Sequence, residues 1–173
     1  MFNRLALIAL CLLTATPVMA GAKRYLAYDA SDRVTRALTR GVTLEIESGL
    51  FGSVTVRRII STSTRGSAEI ESGGPDQARR VLPAGAGETA LYTIPTNGDG
   101  RPLARALCPG AEQTFLVVGT VRAVRPLTMH AVGRWPDGQF RHCVQLSYTY
   151  RGEWAVPTRG ELSTGDDAPS ARP

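Results

Sequence analysis

Lysine is almost missing from this chain of 173 residues: of its 20 basic side chains only Lys23 is lysine, and the rest are arginine. Histidine occurs twice, at His130 and His142, and cysteine three times, at Cys11, Cys108 and Cys143. No two cysteines stand as Cys-x-x-Cys, the spacing at which redox-active pairs usually occur. Gly-x-Ser-x-Gly, the strained-turn signature of one large hydrolase class, is absent. The glycines at Gly85 and Gly87 lack the strand, helix and lysine of a phosphate-binding loop. Asn97-Gly98-Asp99-Gly100 carries one carboxylate and no bidentate acid at the spacing of a calcium loop, so a turn is expected there. No acids pair at a readable catalytic spacing, and no block of like charge marks a nucleic-acid binder. The chain thus lacks a catalytic or cofactor motif, and no cofactor is expected.

Long apolar runs are lacking too, except at the start. Arg4 precedes the run Leu5 to Leu13, which is shorter than the roughly 20 residues needed to cross a bilayer core. Pro17 breaks any helix, and Val18-Met19-Ala20 ends the segment with short side chains. Charge, short apolar core, break and small residues in that order define a cleavable secretory signal over residues 1–20. Lipid attachment at Cys11 fits poorly, because Leu10 is bulky where a small residue belongs and the apolar run continues beyond it. After residue 20 the longest apolar stretch, 115–119, has only the length of a strand. The expected product is a secreted or periplasmic protein with no integral membrane segment. It comprises one β-rich domain over residues 21–156 and a Pro-, Gly-, Ser- and Asp-rich disordered tail over 157–173.

The mature chain keeps 19 basic against 15 acidic side chains, a net charge of +4 spread along its length. That favours an anionic envelope surface or an envelope protein as partner over nucleic acid. The arginine bias suits bidentate recognition of phosphate or carboxylate, but a bias this global points first to coding bias in a GC-rich genome and says nothing about a site. Cys108 and Cys143 survive removal of the signal and enter an oxidising compartment, so a disulfide is expected. Closing a loop of about 36 residues would contribute roughly 4 kcal/mol in the chain-entropy model.

Periodicity predicts the elements. Residues 25–28 read as a strand. A short helix over 32–40 follows, with Ser31 as cap, Gly41 as stop, Val34, Ala37 and Leu38 on its apolar face, and Arg33, Arg36 and Arg40 opposite. Alternation then gives strands near 42–46 and 54–60 joined by a Gly-bearing loop, and a shorter one at 67–70. Pro75 opens a second short helix over 75–82. A strand over 89–94 and one helical turn at 103–107 lead to three strand-like runs: 113–123, 127–135 and 139–150. Their short connections permit only antiparallel neighbours. Residues 151–154 read as a turn that folds Trp154 onto the sheet. The expected fold is α+β, mainly an antiparallel sheet with two short helices and a C-terminal three-stranded meander. An all-β sandwich is the alternative if the helices fail.

Two groups of residues are candidates for function. His130 and His142 flank the turn Pro136-Asp137-Gly138. A three-residue loop puts them on one face, with Val132 opposite His142, and a two-residue turn parts them. Either could act as a general base, but two histidines fall short of the three or four protein ligands of a zinc site, so no metal is expected. Asp137 is the nearest acid in sequence. Trp135, Arg141 and Trp154, with the arginine stripe Arg33, Arg36 and Arg40, form the other group, of a composition found at interaction hot spots. The sequence therefore favours an exported, non-enzymatic binding or accessory domain. The alternative is an envelope enzyme, hydrolase-like, with His130 or His142 as base.

Overall fold

The computed structural model describes residues 23–49 and 53–155. The expected signal, the expected tail and the tip of the first Gly-bearing loop lie outside the described residues. The strands are β1 (Lys23–Ala30), β2 (Gly41–Ser48), β3 (Val54–Ser61), β4 (Ser67–Glu69), β5 (Glu71–Ser72), β6 (Ala90–Ile94), β7 (Gln113–Val118), β8 (Leu127–Arg134) and β9 (Phe140–Ala155). The helices are α1 (Arg33–Leu38), α2 (Gln77–Arg80) and α3 (Gly100–Leu107). All nine strands join one antiparallel sheet in the order β4-β3-β2-β1-β9-β8-β7-β6-β5.

Each strand thus lies beside its neighbour in sequence, and β9 returns to pair with β1. The two edges, β4 and β5, are halves of one stretch separated only by Ile70. The sheet curls into a nearly closed barrel, which removes most of the exposed edge that an open sheet would present. The predicted β-rich, mainly antiparallel class holds, as does the C-terminal meander, which is one part of a meander running round the whole sheet. The sheet is continuous because β9 is long enough to pair β8 with its first half and β1 with its second.

Alternation fills the interior. Leu26 and Tyr28 of β1, Val42, Leu44 and Ile46 of β2, and Leu127, Met129 and Ala131 of β8 all point inward and are buried. Burying each large apolar side chain contributes about 1.5–3 kcal/mol. Leu103, Ala104 and Leu107 of α3 join this core. What reads in sequence as one helical turn is an eight-residue helix. Its first residue must be Gly100, since a Cβ there would stand 2.8 Å from the Pro95 carbonyl oxygen.

A second, smaller core lies outside the barrel. Ala78 packs with Leu91, Phe115, Val117 and Val132, and Val81, Leu82 and Phe140 pack around them. The segment 73–89, which carries α2, is therefore a strap laid over the outer face of β6 to β9. Gly73 and Gly74 take φ values of 106° and 153°, which an L side chain rarely adopts, and let the chain leave β5 at this angle. The helix at 75–82 is present but shorter than predicted, four residues from Gln77 to Arg80.

Two local readings need correction. In α1 Leu38 packs against the core as expected, but the fully buried residues are Thr35 and Thr39, while Ala37 is exposed and Val34 is 53% exposed. Asp32, not Ser31, is the cap, accepting the Thr35 N–H at 2.8 Å and the Thr35 hydroxyl. Gly41 begins β2, and the helix is ended by Arg40 at φ 59°. Polar threonines win the buried face because each has a partner there: Thr39 Oγ1 lies 3.1 Å from Tyr148 Oη, and Thr35 Oγ1 accepts the Ser147 N–H at 2.9 Å. The turn expected at 151–154 is instead part of β9, where Glu153 faces Leu26 and Trp154 faces Tyr25 across the β1 ladder.

Candidate functional site

The strap brings Glu88 onto the outer face of β8, where His130 is buried. His130 Nε2 lies 3.2 Å from Glu88 Oε2, and His130 Nδ1 lies 3.0 Å from His142 Nε2. The His130 side chain is 3% exposed and that of Glu88 14%. His142, on β9, is half-buried at the outer end of the chain. Three groups from three separated segments thus form a line from the interior of the strap contact to the surface.

The register of β8 and β9 explains how the histidines meet. Near the turn Val132 faces His142 and Arg134 faces Phe140, as a three-residue loop requires. A bulge then shifts the pairing, so that Ala131 faces Val144 and His130 faces Gln145. Both registers considered from the sequence occur, one on each side of Cys143. Cys143 is the extra residue, and it packs with Val144 toward the inner core, while His142 stays on the outer face with Phe140. Val144 and Leu146 do not share the histidines' face; they point inward.

The inward turn of Cys143 places it against the end of α3. Cys108 and Cys143 are disulfide-bonded, with Cα atoms 5.4 Å apart and a sequence separation of 35. The bond therefore ties α3 to the bulge that positions His142.

Hydrogen-bond logic assigns the protons. An ionised carboxylate only accepts, so His130 donates from Nε2 to Glu88, and its Nδ1 accepts when the ring is neutral. His142 then donates from Nε2, and its Nδ1 is the basic nitrogen left at the surface end. The ring centroids are 5.2 Å apart while the nitrogens are 3.0 Å apart. The difference is about one ring radius on each side, so the nitrogens lie on the line of centres, as a hydrogen bond requires and a shared metal ion does not. Among the described residues no group of three His, Cys, Asp or Glu side chains is placed to hold a metal.

Burial lowers the pKa of His142 below the ordinary histidine value, and the neighbouring His130 lowers it further. A base depressed in the folded state is protonated first in the unfolded chain. Its contribution to stability is full above pH 6.5 and declines as the pH falls through that value. The melting temperature should therefore fall between pH 7 and pH 5. The His142→Gln variant should lose part of that fall, which a series of thermal melts will measure.

Asp137, the nearest acid in sequence, is not the partner. It accepts the Gln139 N–H at 2.9 Å and pairs with Arg141, interactions that lower its pKa, the backbone bond most. Glu88 escaped detection because its contact spans 42 residues and rests on a strap with no periodic signal.

The aromatic and arginine group divides. Arg141 stacks over Trp135, 5.1 Å from the ring centroid, at the β8–β9 turn. Trp154 lies far along β9, stacked on Tyr25 with centroids 6.1 Å apart, beside the Arg24–Glu153 pair at 2.5 Å. Arg33, Arg36 and Arg40 are all exposed, and among the described residues none forms an ion pair. The neighbouring loop adds Arg65 to that end, because Ser63 bonds the carbonyls of Leu38 and Thr39 through its hydroxyl and its N–H.

Clefts of about 510, 350, 320 and 250 Å³ open on the described surface, and neither histidine nor Glu88 lines any of them. No described helix is long and apolar enough to cross a membrane. Comparison with protein-family models, with curated proteins and with solved structures gives no match.

Proposed function

We propose that this chain is an exported, non-enzymatic binding or accessory domain of the cell envelope, and that it engages an anionic surface through Arg33, Arg36 and Arg40. The observation that carries this reading is the state of those three side chains: exposed, at one end of the barrel, without carboxylate partners among the described residues. Arg65 strengthens the same end. A filled barrel with a disulfide suits an oxidising compartment, which supports export alongside the leader pattern of residues 1–20. Clustered guanidinium groups attract phosphate or carboxylate surfaces, and salt screens them over about 10 Å at 0.1 M.

The test is flotation with vesicles of anionic and of zwitterionic lipid. The protein should float with the anionic vesicles at low salt and be released by added salt. Replacing all three arginines with Gln should weaken retention by about tenfold. Equal retention of wild type and triple variant would remove the arginine end from the mechanism.

One observation favours the enzymatic alternative. A carboxylate behind an imidazole is how a general base is oriented, and Glu88 supplies one to the histidine pair. In that reading His142 Nδ1 takes the proton at the surface end. An activated ester incubated with the protein would then turn over, and His142→Gln would abolish the turnover. The lack of a cleft beside His142 among those described is why binding is preferred.

A further inference from the structure

The barrel has one seam, and its physical cause is a proline. The β5–β6 ladder pairs Glu71 with Thr93 and Ser72 with Tyr92. Continued upward, that register would set Pro95 opposite Glu69 and Asn97 opposite Ser67. Pro95 has no N–H to give to the Glu69 carbonyl, so the ladder stops and the chain turns away toward α3. On the other side of β4 the hydrogen bonds are fixed. Ser61 donates to the Gly66 carbonyl at 3.0 Å and Ile70 to the Arg57 carbonyl at 2.9 Å. The ladder alternates, so the N–H and C=O groups of Ser67 and Glu69 face away from β3, into the cleft of about 510 Å³ beside Pro95. They have no partner among the described residues.

Charge then selects the occupant. This cleft continues into a second of about 350 Å³ through Arg58, Glu69, Glu71 and Pro95. Within the groove Lys23 pairs with Glu45, Arg57 with Glu47 and Arg58 with Glu69. Glu71 and Asp99 are left exposed and without an ion pair among the described residues, both beside the open edge. In a chain of net basic charge, this is an acidic strand edge.

The geometry points to a docking site at the β4 edge for a short extended segment of another protein bearing Lys or Arg. That segment would add as a strand beside Ser67–Glu69 and set its cations against Glu71 and Asp99. Main-chain hydrogen bonds give affinity in this mode and side-chain charge gives selectivity. The site is separate from the arginine end, which takes the opposite charge.

The probe is the capped, dye-labelled peptide Lys-Val-Lys-Val-Lys, with its glutamate counterpart as control and fluorescence anisotropy as readout. The lysine peptide should bind at low salt, shift the amide resonances of Ser67 and Glu69, and outcompete the glutamate peptide. Two versions methylated on alternate backbone nitrogens separate strand addition from charge attraction, and one of them should lose about tenfold in affinity. The Glu71→Gln, Asp99→Asn double variant should weaken binding by a similar factor. Replacing Arg33, Arg36 and Arg40 with Gln should leave it unchanged, which keeps this result independent of the envelope-surface reading. No binding, equal binding of the glutamate peptide, or undiminished binding of both methylated versions would overturn the proposal.

Discussion

Replacing His130 with Phe should destabilise the protein by about 2–4 kcal/mol, a loss comparable to that expected from emptying a position in the apolar core. The phenyl ring fills similar space but has no nitrogen for Glu88 or for His142. Glu88, only 14% exposed, would then hold a carboxylate in a largely apolar contact without its donor. Part of the cost is avoidable, because the strap can release Glu88 to water, and so the figure stays below that of a fully buried ion pair. Glu88→Gln should cost less, about 1 kcal/mol, since the amide oxygen still accepts from His130 Nε2. The double variant His130→Phe, Glu88→Gln should be more stable than the sum of the single losses predicts, because it leaves no buried charge. Urea denaturation of the four proteins reads these values directly. Additive losses would mean that Glu88 and His130 do not meet.

Breaking the Cys108–Cys143 bond should cost about 2–5 kcal/mol, the usual range for a small secreted domain. Either cysteine replaced by Ser should lower the melting temperature and leave one free thiol in the denatured, unreduced protein. Two effects add. The unfolded chain gains the freedom of a loop spanning 35 residues, and the folded chain loses the tie between α3 and the bulge. The second effect has its own signature: loosening the bulge should shift the resonances of His142 as well as those around α3. Two free thiols in denatured wild-type protein purified without reductant would refute the bond.

Much of this architecture can be read from residue order alone, for a physical reason. Strands with one apolar face alternate, so Val42, Leu44 and Ile46 against Thr43, Glu45 and Glu47 announce β2 without any tertiary information. Short turns such as Pro136-Asp137-Gly138 also declare antiparallel neighbours. Closure of the sheet is harder to read, because it depends on β9 pairing with β1 across nearly the whole chain. The error at α1 has the same origin. Thr35 and Thr39 are buried because Ser147 and Tyr148 of β9 supply partners for them, and propensity knows nothing of β9. At the histidines the sequence poses two registers, and the bulge at Cys143 adopts both. Glu88 carries no local signal at all, and its role exists only once the strap folds over Phe115, Val117 and Val132.

The central functional claim is that the arginine end, not the histidine chain, carries the activity of this domain. One binding measurement tests it: retention of wild type, the Arg33→Gln, Arg36→Gln, Arg40→Gln triple variant and His142→Gln on isolated envelope material at low salt. The triple variant should be lost from the bound fraction while His142→Gln is retained like the wild type. Retention of the triple variant with loss of His142→Gln would contradict it, and would hand the function to Glu88, His130 and His142.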